Sequence, residues 1–193
     1  MNLYINSCAR KESRTNMLAS YLLEKLGNYE EIDLYKEKIK PYGEENVNDR
    51  QYKASKFLFD DDIFNYANSF KEAQNIVISA PYWDMSFPSI LKVYIENIFA
   101  VGLVCQYNEK GETIGLCRAE NLYYVVTSGG KYCPDFSYDY IKYLATQCFG
   151  IKHTHLVVAE NLDIVGADVE KILNDAKKGI DDLFTKEVPQ CFC

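Results

Sequence analysis

The sequence predicts a single α/β domain with a parallel five-stranded sheet and helices on both faces. Three observations lead there. Short, continuously apolar runs, as expected of strands covered on both faces, recur along the chain. Stretches of helical periodicity separate them, and the order alternates strand and helix throughout. Right-handed crossovers then set such strands side by side and parallel.

The elements follow in order. "NLYI" (2–5) reads as the first strand, and residues 15–26 as a helix with Met17, Leu18, Tyr21, Leu22 and Leu26 on one side. "YEEIDLY" (29–35) alternates and reads as an edge strand. The polar stretch 36–51, with Pro41 and Gly43, reads as a surface excursion. Residues 52–73 carry Phe57, Leu58, Phe64, Ala67 and Phe70 and predict one helix, followed by the strand "NIVISA" (75–80). In 88–101, Ile90, Leu91, Tyr94, Ile95 and Ile98 recur at helical intervals, with Pro88 suited to a first turn. Residues 102–118 contain a Glu-Lys-Gly turn between two partly alternating arms, which predicts a β-hairpin. "LYYVVTS" (122–128) and "THLVVAE" (154–160) complete the strands, and 135–148 and 167–185 the helices.

Composition narrows the function. With 193 residues, the whole of 1–193 forms one domain, burying roughly 70% of its unfolded surface. A net charge of −7 argues against nucleic acid, which calls for a basic face. The seven cysteines follow no zinc or compact iron–sulfur spacing, so no metal site is expected. Their odd number, with no apolar leader in "MNLYINSCARKES", points to reduced thiols and a cytoplasmic protein. No stretch approaches the ~18 apolar residues of a membrane span. Cys191-Phe192-Cys193 reads as a non-catalytic tail, a soft-metal or reactive pair being the alternative.

In open α/β sheets, ligands bind beyond the carboxyl ends of the strands, where the winding direction reverses. Three segments leave such ends. "NSCARKESRTNML" has no glycine-rich dinucleotide or P-loop pattern, but supplies Ser7, Ser13, Thr15 and Asn16 with Arg10 and Arg14 just before a helix. Free helix amides, hydroxyls and a guanidinium suit a phosphate, although Ser13 or Thr15 can equally be a plain helix cap. Cys8, inside this loop, reads as a packing residue. In "APYWDM", Pro81 ends the ladder and exposes backbone polar groups beside Tyr82 and Trp83, a surface for a flat heteroaromatic ring unless those rings merely cap the core. In "VTSGGKY", Thr127, Ser128, Gly129 and Gly130 offer donors and close backbone approach, or simply a tight turn. Together the three outline a phosphate site, a ring-edge site and a close approach in one crevice, the outline of bound FMN.

These residues carry a resemblance. "SAPYWDMSFPSILKVYIENIF" is similar to the Pro-Met-Tyr/Trp-Asn-Phe segment and following Pro-x-x-Leu-Lys helix of the flavodoxin-like NAD(P)H:quinone oxidoreductase and FMN-dependent NADH-azoreductase family. "SCARKESRTN" resembles that family's phosphate loop, and "TSGG" its Thr-Ser-Arg/Gly-Gly loop. The resemblance implies a flavodoxin-like sheet in the order 2-1-3-4-5. It also implies tightly bound FMN, NADH or NADPH as donor, and a flat small-molecule acceptor such as a quinone or azo compound. It assigns Ser7, Ser13, Arg14 and Thr15 to the phosphate, residues 81–85 (Pro81, Tyr82, Trp83, Asp84, Met85) to the ring edge, and Ser128, Gly129 and Gly130 to the ring's surroundings; Thr127 and Tyr132, in and after the same loop, are cofactor-binding candidates with them. The 102–118 hairpin resembles an excursion used there at a homodimer interface, with Tyr107 near the partner's flavin.

The sequence departs from the pattern at Asp84-Met85, where the family has Asn-Phe, and a carboxylate beside the ring would lower its reduction potential. Tyr132 follows the Gly-Gly loop but no His does; His153 and His155 read as solvated loop residues before the last strand. No catalytic acid is nominated. The rival reading is a flavodoxin-type electron carrier without turnover of its own. A phosphoacceptor domain on the same winding would need acidic residues where Asn6-Ser7 stand.

Overall fold

The computed structural model describes residues 1–185, so Cys191-Phe192-Cys193 lies outside the described residues. Five parallel strands, β1 (Asn2–Asn6), β2 (Tyr29–Asp33), β3 (Asn75–Ser79), β6 (Asn121–Thr127) and β7 (His153–Ala159), form one sheet in the order β2-β1-β3-β6-β7. Numbered within this sheet alone, that is the expected 2-1-3-4-5. The winding reverses between β1 and β3, whose register runs Leu3↔Ile76 to Asn6↔Ser79.

One face is covered by α1 (Arg14–Leu26) and α6 (Val169–Thr185), which bury Leu18, Leu22, Leu173 and Ile180 against Tyr4, Val77 and Val125. The other face carries α3 (Asn65–Glu72), α4 (Ser89–Ile98) and α5 (Tyr138–Tyr143), with Phe64, Phe70, Leu91, Tyr94 and Phe149 in its core. Successive strand residues face opposite layers, so runs such as Leu122–Val126 are apolar throughout.

The stretch read as one helix over 52–73 is two. α2 (Glu44–Ser55) begins inside the segment read as an excursion, with Glu44 and Glu45 in its first turn, where the helix dipole favours acids. No apolar stripe marks it in the sequence, because it buries almost nothing apolar; Arg50 is its one buried residue. It stops in a two-bond C-terminal motif: the Phe57 and Leu58 amides donate to the Ala54 and Lys53 carbonyls at 3.0 and 3.0 Å. Phe57 sits at φ 57°, where glycine is usual, so no sequence signal announced the stop. Both Phe57 and Leu58 are therefore exposed rather than in the core. A short turn, Asp62–Phe64, capped by the Asp61 carboxylate on the Ile63 amide, then leads into α3.

The predicted hairpin is present as β4 (Cys105–Tyr107) and β5 (Thr113–Gly115), paired Tyr107↔Thr113. It packs on the π-helical turn Leu144–Phe149 that finishes the predicted 135–148 helix. A Cβ on Gly115 would stand 2.0 Å from the Gly150 nitrogen, so this crossing is backbone on backbone. His153 and His155 lie within β7 rather than before it. His155 stacks on Tyr123 at 4.7 Å and meets Asn121 Oδ1 at 3.2 Å. Among the described residues no helix is long and apolar enough to cross a membrane.

Candidate functional site

At the carboxyl ends of β1, β3 and β6 the three loops converge on a cleft of about 430 Å³, within the roughly 300–1,000 Å³ usual for small-molecule sites. Ser13, Arg14, Thr15, Pro81, Tyr82, Trp83, Thr127, Ser128 and Gly129 line it, along with Arg10 and Cys8.

Hydrogen bonds lock the loops together. Thr15 Oγ1 and Thr127 Oγ1 lie 2.6 Å apart, joining the first loop to the third. The Tyr82 amide donates to the Thr127 carbonyl at 3.0 Å, joining the second to the third. Beneath them the Tyr4 hydroxyl donates to Asn16 Oδ1 at 2.6 Å and meets Ser79 Oγ at 2.8 Å, fixing the start of α1 over β3.

Ser13 is indeed the cap of α1, its Oγ accepting the Asn16 amide at 3.3 Å. Capping and anion binding are compatible here, because an accepting hydroxyl keeps its own proton to donate. The first-turn amides of Arg14 and Thr15 have no acceptor within the helix and suit an anion. Arg14 holds Asp163 at 2.9 Å across the rim; both side chains are largely exposed, so the pair can open at small cost.

Ser7 lies elsewhere: fully buried, it donates Oγ to the Ser79 carbonyl at 2.7 Å and does not line the cleft. Cys8 packs, with Sγ 3.4 Å from Ser79 Oγ, and burial raises its thiol pKa. Asp84 and Met85 stand outside the lining at the tip of a two-residue turn, in which the Trp83 and Ser86 amides each donate to the other's carbonyl at 2.8 Å. Both tip residues have positive φ, 49° and 68°, which places the bend outward and leaves Trp83 at the rim. Tyr132 sits one layer below, edge-on to Tyr82 at 4.9 Å, with its hydroxyl 2.8 Å from Ser137 Oγ.

Neither glycine of the third loop adopts a positive φ. Gly129 lies close to Asp163: a Cβ there would stand 2.4 Å from the movable carboxylate oxygen Oδ2 and 3.2 Å from Asp163 Cβ. Gly130 has open space around it and does not line the cleft. The Ser128 hydroxyl donates to the Gly130 carbonyl, closing the loop on itself.

A fourth segment completes the wall. Leu162 and Asp163, beyond β7, line the cleft, and their amides donate to the Ser128 and Gly129 carbonyls at 3.1 and 2.9 Å. The strand-end rule that found the other loops applies equally to "AENLD" after the last strand. Chemically the cleft offers an anion-binding helix start at one side and, at the other, an aromatic and backbone edge. Those donors fit a ligand with a phosphate at one end and a flat ring at the other.

A switch-point cleft on this winding defines the class: the chain belongs to the flavodoxin-like fold family, whose sequence model matches residues 2–184. Within that class its curated relatives are quinone reductases. It is 37% identical over 186 residues to FMN-dependent NADH:quinone oxidoreductase 2 of Clostridium acetobutylicum, spanning 90% of this chain and 92% of that one. It is 31% identical over 195 residues to the FMN-dependent NADH:quinone oxidoreductase of Coprothermobacter proteolyticus, spanning 94% and 96%. Among solved structures, an azoreductase from Bacillus anthracis superposes with a TM-score of 0.80 at 22% identity, over 96% of this chain and 100% of that one. An FMN-dependent NADH-azoreductase from the same species, in complex with FMN, gives 0.77 at 23% identity, over 96% and 99%. These two likenesses concern the fold.

Proposed function

We propose that this protein is an FMN-dependent NAD(P)H oxidoreductase that passes two electrons to a quinone, azo compound or similar flat acceptor. One observation carries the reading: separate strand-end loops, bonded to one another, make a single cleft with a phosphate-type and a ring-type side, in a chain whose relatives are named for FMN. Ser13, Arg14 and Thr15, with Arg10 beside them, would hold the phosphate. Pro81, Tyr82, Trp83, Thr127, Ser128 and Gly129 would border the ring. The bound flavin supplies hydride chemistry; the protein positions it, and backbone donors at the ring edge would stabilise negative charge developing there.

The remaining assignments belong to the same proposal. Residues 1–193 work as one domain, the donor is NADH or NADPH, and the protein acts in the cytoplasm, in keeping with the free thiols at Cys8, Cys105, Cys117, Cys133 and Cys148. A homodimer is supported by the exposed tip of the hairpin, where Tyr107 projects.

The test has two arms. Apoprotein is titrated with FMN and with riboflavin; the phosphate side predicts at least tenfold tighter FMN binding, lost in Arg14→Gln. NADH oxidation is then followed with a quinone and no partner protein. FMN binding without turnover would leave a flavodoxin-type carrier, and equal binding of FMN and riboflavin would refute the phosphate site.

A further inference from the structure

A second cavity, of about 380 Å³, lies between α2 and the end of α4, and shares no lining residue with the cleft. Tyr42, Val47, Ala54, Phe64 and Phe99 make its walls largely apolar. Into it faces one strong cation, Arg50, only 7% exposed.

The surroundings of that guanidinium are unusual. Its Nε donates to the Tyr42 hydroxyl at 3.1 Å and one terminal nitrogen donates to the Asn97 carbonyl at 2.7 Å. The rings of Tyr42 and Phe64 lie 5.4 and 5.1 Å from its central carbon. These partners are all neutral. Among the described residues no ion pair includes Arg50. The carboxylate that lines the cavity, Glu96, pairs with Lys92. Ring faces and a carbonyl spread positive charge, but they do not balance it. Burial accordingly lowers the Arg50 pKa.

A buried cation without a counter-charge, at the wall of an open apolar cavity, is a half-built ion pair. We propose that this cavity is a second ligand site, taking a small organic carboxylate with a flat or apolar body, and that Arg50 supplies its anchor. The planar guanidinium matches a carboxylate's two oxygens, and the aromatic walls match the body. The apolar lining disfavours a fully hydrated inorganic anion, which would have to shed water for one cation. This inference does not depend on the flavin reading.

The test uses the purified protein as isolated, with benzoate as probe and benzamide as its neutral counterpart of the same shape. Calorimetric titration should show saturable benzoate binding and at least tenfold weaker benzamide binding. Arg50→Met should weaken benzoate at least tenfold, while Arg14→Gln, in the cleft, leaves it unchanged. Val47→Trp, made from a half-exposed wall position, should also abolish it, which keeps the proposal testable if Arg50→Met does not fold. Flavin binding, measured on the same preparations, should be indifferent to Arg50→Met. Equal affinity for benzoate and benzamide, no binding of either, or binding that follows Arg14 rather than Arg50 would each overturn the proposal. A change of oligomeric state in Arg50→Met, with wild type indifferent to benzoate, would assign the guanidinium to an interface and overturn it as well.

Discussion

Met85 offers the sharpest test of how the cleft rim is built. It sits at φ 68°, beside Asp84 at φ 49°, in the two-residue turn between Trp83 and Ser86. For a residue with a Cβ this region costs roughly 1–2 kcal/mol. Asp tolerates it better than an unbranched apolar chain, so most of the strain belongs to Met85. Its side chain returns little: it is 57% exposed, and its sulfur accepts a long contact from the Tyr82 hydroxyl at 3.8 Å. Removing the Cβ should therefore stabilise the protein, against a chain-entropy cost for glycine of roughly 0.5–1 kcal/mol.

The comparison that isolates backbone strain is Met85→Gly against Met85→Ala. Both lose the thioether; only glycine loses the Cβ. Met85→Gly should be the more stable by about 0.5–1 kcal/mol, a difference of roughly 1–4 °C in Tm for a chain of this size. Thermal melts of the two variants, followed by circular dichroism under identical flavin loading, measure it. A Met85→Ala variant as stable as Met85→Gly, or more so, would refute the argument. If the strained bend serves to hold Trp83 at the rim, the stabilised glycine variant should also bind FMN more weakly.

The other predictions are these. Gly129→Ala would set a methyl 2.4 Å from an Asp163 carboxylate oxygen and 3.2 Å from its Cβ, so the wall at Gly129–Asp163 must shift; because that wall borders the ring side, FMN titration should show a severalfold weaker Kd, and an unchanged Kd would mean that the exposed Asp163 side chain alone turns away. Asp84 stands outside the cleft lining, so Asp84→Asn should leave the FMN midpoint potential nearly unchanged, and a clear rise would return the carboxylate to the ring edge. Burial pushes the Cys117 thiol from 9.0 up to about 12. Its contribution to stability is complete below pH 9 and falls between pH 9 and 12, because the unfolded chain loses the proton first. The loss should be on the order of 1 kcal/mol by pH 10, and Cys117→Ala should flatten the alkaline decline in Tm.

The sheet and its order were legible because a strand buried on both faces has little choice of residues, and "NIVIS" or "LYYVV" states that burial directly. The hairpin was legible for a related reason, since its turn needs Gly111, at φ 77°, where the chain bends back. The helix over 44–55 was not. Its one buried side chain is an arginine seated against a ring from another element, and no local pattern records such a partner. Phe57 hid the stop for another reason, taking the left-handed conformation usual for glycine while its own amide and that of Leu58 bond back to the helix end.

The site divides in the same way. Sequence by itself named the three loops, because their residue types, hydroxyls before a helix, aromatics after a proline and paired glycines, are chemistry that a strand end can use. Only the tertiary structure decided which members face the cleft. It withdrew Ser7 into the β1–β3 contact, set Tyr132 beneath Tyr82, carried Asp84 and Met85 outward, and added Leu162 and Asp163 from the fourth loop. A side chain's chemistry is written at its own position, but its direction is set by backbone torsion and by neighbours far away in the chain.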